Sequence, residues 1–182
     1  MRPGYCSRGF RYIVAMFGKK FFRDFKFFTL LFVVFVGSST MLLDLYTKYL
    51  CGALVEDIVE IEVLPFLNLV DVRNTGMSFG LLKGFQFSNV FFICLNVPLV
   101  VFILLFSCCK CGVSLEGFAL GLVLGGALGN VVDRVAFGAV RDFIDLHVLG
   151  WHWPAFNLAD VAIFLGVMCL LYRAWKNEQN AD

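Results

Sequence analysis

A set of ionisable and amide side chains lies where the long apolar stretches of this sequence begin or end. Its members are Asp44, Lys48, Asn130, Asp133, Arg134, Asp142, Asp145, Asn157 and Asp160. Burying an ionisable group among apolar residues is costly, so each member is a candidate functional residue. The set contains five aspartates and no serine, histidine or cysteine, which directs attention to carboxylate chemistry.

Some members of this set can pair locally. Asp44 and Lys48 are spaced i, i+4, so they share one helix face and can form an ion pair. Asn130 and Arg134 have the same spacing. Asp133 can pair with its neighbour Arg134 or with Lys48. Such pairs could also serve only to stiffen the rim of a helix bundle, so their presence alone does not indicate catalysis.

Two aspartates are left without a local partner: Asp160, and either Asp142 or Asp145. Carboxyl groups held close together share one proton, because both cannot ionise cheaply. One then acts as a base toward water while the other, protonated, polarises a carbonyl, as in aspartic peptidases. No serine–histidine–acid or cysteine–histidine set competes, and we interpret His147 and His152 as polar residues of a membrane interface.

The composition predicts a membrane protein. Of the 182 residues, 60% are hydrophobic and 16% are charged, against roughly 45–50% and 25% in soluble domains. The 22 phenylalanines exceed what a soluble protein of this size could bury, so the surplus must face lipid. A membrane all-α fold follows, with a bundle of four transmembrane helices.

Four apolar stretches approach the roughly 20 residues that a membrane-spanning helix needs. We place them at about residues 27–50, 85–107, 113–136 and 155–175, within a four-span domain over residues 27–176. The third contains Gly117, Gly121, Gly125 and Gly129 at four-residue spacing. These glycines predict a groove that lets a neighbouring helix approach closely.

Charge sets the expected orientation. Residues 1–26 contain seven basic residues and one acidic residue, whereas residues 56–62 contain four acidic residues and no basic one. Because basic flanks stay in the cytoplasm, we expect a cytoplasmic extension at 1–26 and a cytoplasmic tail at 177–182. The polar set then lies at the outer face of the membrane. The basic extension could lie on the membrane surface as an amphipathic helix or serve only to set topology.

The outer segment at residues 51–84 predicts a small extracytoplasmic β cradle. Apolar and acidic residues alternate from Val59 to Val63, which is typical of a half-exposed strand. The run LNLVDV resumes the strand pattern after a proline, and Asn74–Gly76 is a turn signal. In the second outer segment, Trp151 and Trp153 suit the lipid–water boundary.

Five motifs occur in chain order: Asp44–Lys48 (DLYTK), Asn74–Gly80 (NTGMSFG), Gly125–Arg134 (GGALGNVVDR), Asp142–Ile144 (DFI) and Phe156–Asp160 (FNLAD). Together they closely resemble the bacterial lipoprotein signal peptidases, also called signal peptidase II, over about residues 30–175. The resemblance implies an integral membrane aspartic endopeptidase that removes signal peptides from diacylglyceryl-modified prolipoproteins, cutting before the lipidated cysteine.

The resemblance also implies roles for individual residues. Asp142 and Asp160 would form the catalytic dyad. The residues around substrate and dyad would be Asp44, Lys48, Asn74, Gly76, Asn130, Asp133, Arg134 and Asn157. Asp133 remains a rival for the dyad, although it lies deeper in its span. Arg141 stands where the family more often has an aliphatic residue, and it would favour an ionised Asp142 if its side chain turned inward.

The remaining expectations concern partners and alternatives. We expect a monomer in the bacterial cytoplasmic (inner) membrane, in contact with membrane lipids and prolipoprotein substrates but not with nucleic acid. The cysteine cluster at residues 108–111 lacks a histidine or a second cysteine pair, so we expect no metal and no organic cofactor. A small proton-coupled transporter or channel is the alternative, but it should place polar groups at mid-membrane or on both sides.

Overall fold

The computed structural model describes residues 6–55, 58, 60–75, 88–109 and 114–180, with the backbone alone for 6–26, 88 and 108–109. Within these residues lie four long helices: α1 (Cys6–Val55), α2 (Ser88–Cys109), α3 (Leu115–Phe137) and α4 (Leu158–Gln179). Each contains a segment long and apolar enough to cross a membrane. Many large apolar side chains on these helices are exposed, as lipid-facing residues must be.

Helix α1 is longer than the first predicted span at both ends. Its backbone is already helical from Cys6, so the described part of the basic extension continues directly into the span. At the other end it runs to Val55, which makes residues 51–55 helical although they were predicted to begin the outer β segment. The sequence from Asp44 to Val55 contains no proline, and the ion pair between Asp44 and Lys48 joins successive turns of the helix.

The glycines of α3 form the predicted groove, and α1 lies in it. A Cβ atom on Gly121 would lie 2.6 Å from the Cβ of Val36, and one on Gly125 would collide with the carbonyl oxygen of Gly37. Further out, a Cβ on Gly129 would lie 2.5 Å from a carboxylate oxygen of Asp44. The glycines therefore let α1 approach closely enough for its polar residues to meet those of α3.

The opposite face of α3 packs against α4 in the same manner. A Cβ on Gly126 would lie 2.5 Å from the carbonyl oxygen of Ala159, and one on Gly166 would lie 2.7 Å from that of Ala119. Helix α2 adds Ile103 to the apolar core. Because α3 lies between α1 and α4, residues from all three helices converge at its C-terminal end.

A small antiparallel sheet completes the fold, with strand order β1 (Glu60–Leu64), β2 (Leu67–Asn74), β3 (Val140–Val148) and β4 (Trp151–His152). The membrane fold with four helices and a small β cradle is therefore confirmed. The first two strands fall in the outer segment that showed strand patterning. The other two fall where no strand was expected.

Strand β3 connects the bundle to the sheet. Gly138 ends α3 in a left-handed conformation (φ 72°) and donates its backbone N–H to the carbonyl of Arg134. Within β3, Asp142 lies opposite Val72 of β2. The chain then returns beside β3, where Phe156 and Ile144 exchange backbone hydrogen bonds of 2.9 and 3.1 Å. Because α4 begins two residues after Phe156, this return brings the start of α4 next to Asp142.

Candidate active site

Lys48 of α1 is the centre of a buried charge cluster. Its ammonium nitrogen lies 2.7 Å from an oxygen of Asp44 and 3.0 Å from an oxygen of Asp133. It also donates to the side-chain oxygen of Asn130 at 3.1 Å. All four side chains are buried. The cluster thus holds one basic and two acidic side chains out of water, and the third ligand of Lys48 is a neutral amide.

The charge cluster also ties together the C-terminal ends of α1 and α3 and the N-terminal end of α4. The second oxygen of Asp44 accepts a 2.8 Å hydrogen bond from the backbone N–H of Ala159, in the first turn of α4. Asp133 reaches from α3 and accepts a 3.2 Å hydrogen bond from the backbone N–H of Arg141. Asp44 and Asp133 therefore neutralise Lys48 and position the starts of α4 and β3.

Asp142 has a different environment. It is 2% exposed and extends from β3 toward the start of α4. One of its oxygens accepts a 2.8 Å hydrogen bond from the amide of Asn74, and the other accepts a 2.7 Å bond from the amide of Asn157. The carboxyl group is therefore fixed in orientation by two neutral donors and has no directly bonded cation among the described residues.

Asp160 is placed by the capping of α4. Asn157 is the N-cap, and its side-chain oxygen accepts a hydrogen bond from the backbone N–H of Asp160 at 3.0 Å. In return, the carboxylate of Asp160 accepts from the backbone N–H of Asn157 at 3.3 Å. This reciprocal capping box fixes Asp160 at the start of the helix. Its other oxygen accepts a 2.9 Å bond from the amide of Asn130.

Two asparagines connect the aspartates with the charge cluster. Asn157 donates to the carboxyl group of Asp142 through its side-chain nitrogen and to that of Asp160 through its backbone N–H. Its nitrogen also lies 3.2 Å from the side-chain oxygen of Asn130, which is itself a ligand of Lys48. The two carboxyl groups are thus held on one hydrogen-bonded frame, and neutral amides separate them from the lysine.

Burial raises the pKa of Asp142 from its usual value of 3.8 to about 6. The nearby charge of Asp160 also raises the pKa, whereas the hydrogen bonds from Asn74 and Asn157 and the more distant charge of Lys48 lower it. The desolvation of the carboxylate outweighs these opposing contributions. Asp142 therefore still holds a proton in mildly acidic conditions.

Arg134 does not pair with Asp133 among the described residues. Its guanidinium donates to the backbone carbonyl of Asn130 at 3.3 Å and lies 4.7 Å above the ring of Phe92 from α2. The alternative partner, Lys48, binds Asp133 instead. The planar guanidinium of Arg134 is therefore held by stacking and by the helix backbone, near both Asp142 and Asp160.

Arg141 does not turn toward Asp142. Its guanidinium binds Asp71 on β2 at 3.0 Å and the backbone carbonyl of Lys48 at 3.0 Å. Successive side chains of a strand point to opposite faces, so the arginine and the aspartate diverge. The condition under which Arg141 would favour an ionised Asp142 is therefore not met.

Asp145 belongs to a separate network on the sheet. Its carboxylate lies 2.8 Å from Nδ1 of His152 and 3.4 Å from the amide of Asn68, which also lies 3.3 Å from His147. The histidines are thus part of a hydrogen-bonded network of the sheet, and not simply interfacial polar residues. With Asp145 engaged here, Asp142 is the strand carboxylate that shares Asn157 with Asp160.

A cavity of about 410 Å³ opens beside Asp160. Apart from that aspartate, its lining side chains are aliphatic or aromatic, and they come from β3, the chain before α4, and α4 itself. The lining residues are Leu146, Trp153, Pro154, Phe156, Val161 and Phe164. An apolar ligand in this cavity can therefore reach Asp160 without passing the charge cluster.

Most of the predicted site residues meet at this place. The members that the structure brings together are Asp44, Lys48, Asn74, Asn130, Asp133, Arg134, Asp142, Asn157 and Asp160. Gly76 lies outside the described residues. The part of the chain that is described contains no group of three or more His, Cys, Asp or Glu residues able to hold a metal ion.

Sequence reasoning missed the dual function of Asn157 and the participation of Asp71 and Ala159. The pattern Asn157–Asp160 is a recognisable capping signal, because an N-cap residue is followed three residues later by an acidic one. That signal could have placed both side chains on the first turn of α4. No comparable sequence signal exists for Asp71 or for the backbone N–H of Ala159.

A family model described as signal peptidase (SPase) II matches residues 17–176. A lipoprotein signal peptidase from Anaplasma marginale (strain Florida) is 48% identical over 112 residues, covering 60% of this chain and 64% of that protein. One from Anaplasma phagocytophilum (strain HZ) is 41% identical over 138 residues, covering 76% and 88%. A bacterial membrane enzyme solved in meso at 2.3 Å resolution is 32% identical with a TM-score of 0.70, covering 85% of this chain and 91% of that one.

Proposed function

This chain belongs to the signal peptidase II family, and on that premise we propose that it is an aspartic endopeptidase with Asp142 and Asp160 as its catalytic dyad. Like the relatives named above, it removes signal peptides from prolipoproteins. The observation that carries the proposed dyad is the frame on which Asn157 binds both carboxyl groups, Asp142 at 2.7 Å and Asp160 through the capping box.

The proposed mechanism uses one proton shared by the two carboxyl groups. Asp142 carries this proton, because burial raises its pKa to about 6 and two ionised carboxylates at close range repel each other. Asp160 takes a proton from a water molecule, whose oxygen attacks the scissile carbonyl carbon. Asp142 donates its proton toward the carbonyl oxygen. Collapse of the tetrahedral intermediate then breaks the C–N bond. The proton that Asp160 took from water passes to the leaving nitrogen, and Asp142 recovers its proton from the hydroxyl group as the new carbonyl forms.

The site suits a substrate that is held in a membrane. We infer that the substrate carries a diacylglyceryl-modified cysteine and that cleavage occurs just before this residue. The lipid keeps the scissile bond at the membrane surface, at the level where Asp142 and Asp160 lie. The apolar cavity of about 410 Å³ beside Asp160 can then accept an apolar part of the substrate, such as an acyl chain or the signal-peptide segment.

The surrounding polar residues have supporting roles in this proposal. Asn74 and Asn157 orient Asp142, and Asn130 orients Asp160. Asp44, Lys48 and Asp133 hold the outer ends of the helices in register. Arg134 presents a guanidinium near the dyad, where it can bind a carbonyl of the substrate. Gly76 falls in the segment between β2 and α2. Its assignment to the site is supported only by the NTGMSFG motif.

The protein is an integral membrane protein, and we propose that both termini face the cytoplasm. The basic residues of 1–26 support this orientation, because Lys and Arg are retained on the cytoplasmic side. The dyad would then face the outside of the bacterial inner membrane, and residues 177–182 would form a cytoplasmic tail. We expect a monomer in contact with membrane lipids.

A transporter or channel is not favoured. Polar side chains that define the site cluster at the outer end of the described bundle, around Lys48, Asp133 and Asp160. Transport would instead require polar groups near the middle of the membrane or on both sides of it.

The test is cleavage of a diacylglyceryl-modified prolipoprotein by the purified protein in detergent. Asp142→Asn and Asp160→Asn should each abolish cleavage while the protein remains folded, as measured by thermal unfolding. Asp145→Asn is a matched control, since it removes a buried carboxylate from the same strand but outside the frame of Asn157. It should retain activity.

Asp133→Asn distinguishes the two possible dyads. A folded Asp133→Asn variant that is inactive, together with an active Asp142→Asn variant, would replace Asp142 by Asp133 in the dyad. Cleavage that persists in both Asp142→Asn and Asp160→Asn would refute an aspartic mechanism at this site.

A further inference from the structure

Arg141 uses its backbone and its side chain to hold the residue immediately before Asp142. Its backbone N–H donates to Asp133 at 3.2 Å, and its carbonyl accepts from the amide of Asn157 at 3.4 Å. Its guanidinium donates to the carbonyl of Lys48 at 3.0 Å and binds Asp71 at 3.0 Å. The arginine therefore contacts α1, β2, α3 and the start of α4 at a single point of β3.

Gly52 provides the space in which this guanidinium lies. A Cβ atom at Gly52 would collide with Nη1 and Cζ of Arg141. Gly52 lies one helical turn after Lys48, whose carbonyl is the acceptor for Nη1. Glycine in a helix interior lowers stability relative to alanine. The glycine at this place is explained by the guanidinium that rests on the bare helix backbone.

Asp71 anchors the other side of the guanidinium. It lies on β2 directly before Val72, the residue opposite Asp142 in the sheet register. The side chains of Arg141 and Asp71 are 21% and 28% exposed, whereas that of Arg73, which also approaches Asp71 at 3.4 Å, is 44% exposed. The ion pair with Arg141 is therefore the shorter and better shielded of the two.

We propose that Arg141 is a positioning residue whose guanidinium, seated on Gly52 and held by Asp71, sets the place of Asp142 relative to Asp160. We call Gly52, Asp71 and Arg141 the Arg141 clamp. This inference rests on the proposed dyad. The clamp fixes β3 against α1, while the capping box fixes Asp160 on α4, so the separation of the two carboxyl groups depends on both attachments. The guanidinium itself does not touch the reacting atoms.

The test is a double-mutant cycle between Gly52→Ala and Arg141→Met. The added methyl displaces the flexible end of the arginine, so Gly52→Ala should reproduce the effect of Arg141→Met. We expect each variant to lower kcat on the order of tenfold, with a much smaller change in KM. The double variant should be no slower than Arg141→Met, because the methyl has no guanidinium left to displace. In that background Gly52→Ala should also raise the thermal unfolding temperature, since alanine favours the helix.

Two further variants test the geometry. Arg141→Lys keeps the charge but cannot reach both partners with one planar fork, so its kcat should lie between those of wild type and Arg141→Met. Arg73→Met is the matched control, since it removes the other arginine on Asp71 without disturbing Gly52. It should leave kcat unchanged.

Three results would overturn the proposal: an unchanged kcat in a folded Arg141→Met variant, rate losses that multiply in the double variant, or an equal loss in Arg73→Met. Asp142→Asn measured in the same assay separates this proposal from the proposed dyad. If Asp142→Asn remains active, the dyad assignment fails. If it is inactive while Arg141→Met matches wild type, only the clamp fails. The thermal double-mutant cycle tests the contact between Gly52 and Arg141 without reference to activity.

Discussion

Replacing Asp142 by asparagine should change how stability depends on pH. The wild-type carboxyl group is 2% exposed, and burial raises its pKa from 3.8 to about 6. An asparagine has nearly the same shape and does not titrate. The variant therefore removes the free-energy cost of burying a charged carboxylate at this position, although it also places an amide against the donors Asn74 and Asn157.

The direction in which stability changes with pH follows from proton binding. Between pH 4 and 6 the folded wild-type protein holds a proton on Asp142 that the unfolded chain releases, so stability falls as pH rises through this interval. The pKa difference between 3.8 and about 6 corresponds to about 3 kcal/mol at 1.36 kcal/mol per pH unit. Below about pH 4 this contribution is fully present, and above about pH 7 it is lost. As pH rises through this interval, the unfolding free energy of Asp142→Asn should increase by up to about 3 kcal/mol relative to that of wild type.

The assay is thermal unfolding in detergent at pH 4.5, 6 and 8 for both proteins. A mispaired amide at residue 142 would shift the whole curve of the variant by about 1–3 kcal/mol, so the quantity compared is the change with pH. Asp145→Asn retains Asp142 and should keep the pH dependence that Asp142 produces. Parallel curves for wild type and Asp142→Asn would refute the assignment of a raised pKa to this buried carboxyl group.

Four other outcomes are expected. Lys48→Met leaves two buried carboxylates without their cation and should cost about 3–5 kcal/mol of stability, measured by thermal unfolding. Gly126→Ala places a Cβ 2.5 Å from the carbonyl oxygen of Ala159 and should cost roughly 1–3 kcal/mol, with a loss of cleavage because α4 must move. The value of kcat/KM should fall as pH rises above about 6, since Asp142 then loses the shared proton. When Trp175 is replaced by phenylalanine, the remaining fluorescence comes from Trp151 and Trp153. In nanodiscs it should be quenched by lipids brominated near the headgroup and not by aqueous iodide.

Local spacing was sufficient to predict part of the site. The i, i+4 pair of Asp44 and Lys48 needs only helical geometry, and it occurs at 2.7 Å. The glycine spacing of α3 predicted a close helix neighbour, and a Cβ on Gly121 would lie 2.6 Å from α1. These features depend on residues one or two turns apart, so the sequence contains their geometry directly.

Other features depend on contacts between distant parts of the chain. Strand β3 has apolar residues at both Phe143 and Ile144, so it lacks the alternation that marks a half-exposed strand. It is a strand because β2 and Phe156 pair with it. The choice of Lys48 over Arg134 as the partner of Asp133 is likewise decided by how α1 lies in the groove of α3. No local pattern specifies either outcome.

In this site, the residue that carries the positive charge is not one of the residues that hold Asp142 in position. Lys48 lies close enough to lower the pKa of Asp142, but it is among the smaller influences on that carboxyl group. Asn130 and Asn157 lie between Lys48 and Asp142 and link them through hydrogen bonds of 2.7–3.2 Å. Neither asparagine carries a charge. A lysine bound directly to Asp142 would favour its ionised form and remove the shared proton that the proposed mechanism needs. The neutral amides therefore let a buried ion cluster hold the helices in register while the proposed dyad keeps its proton.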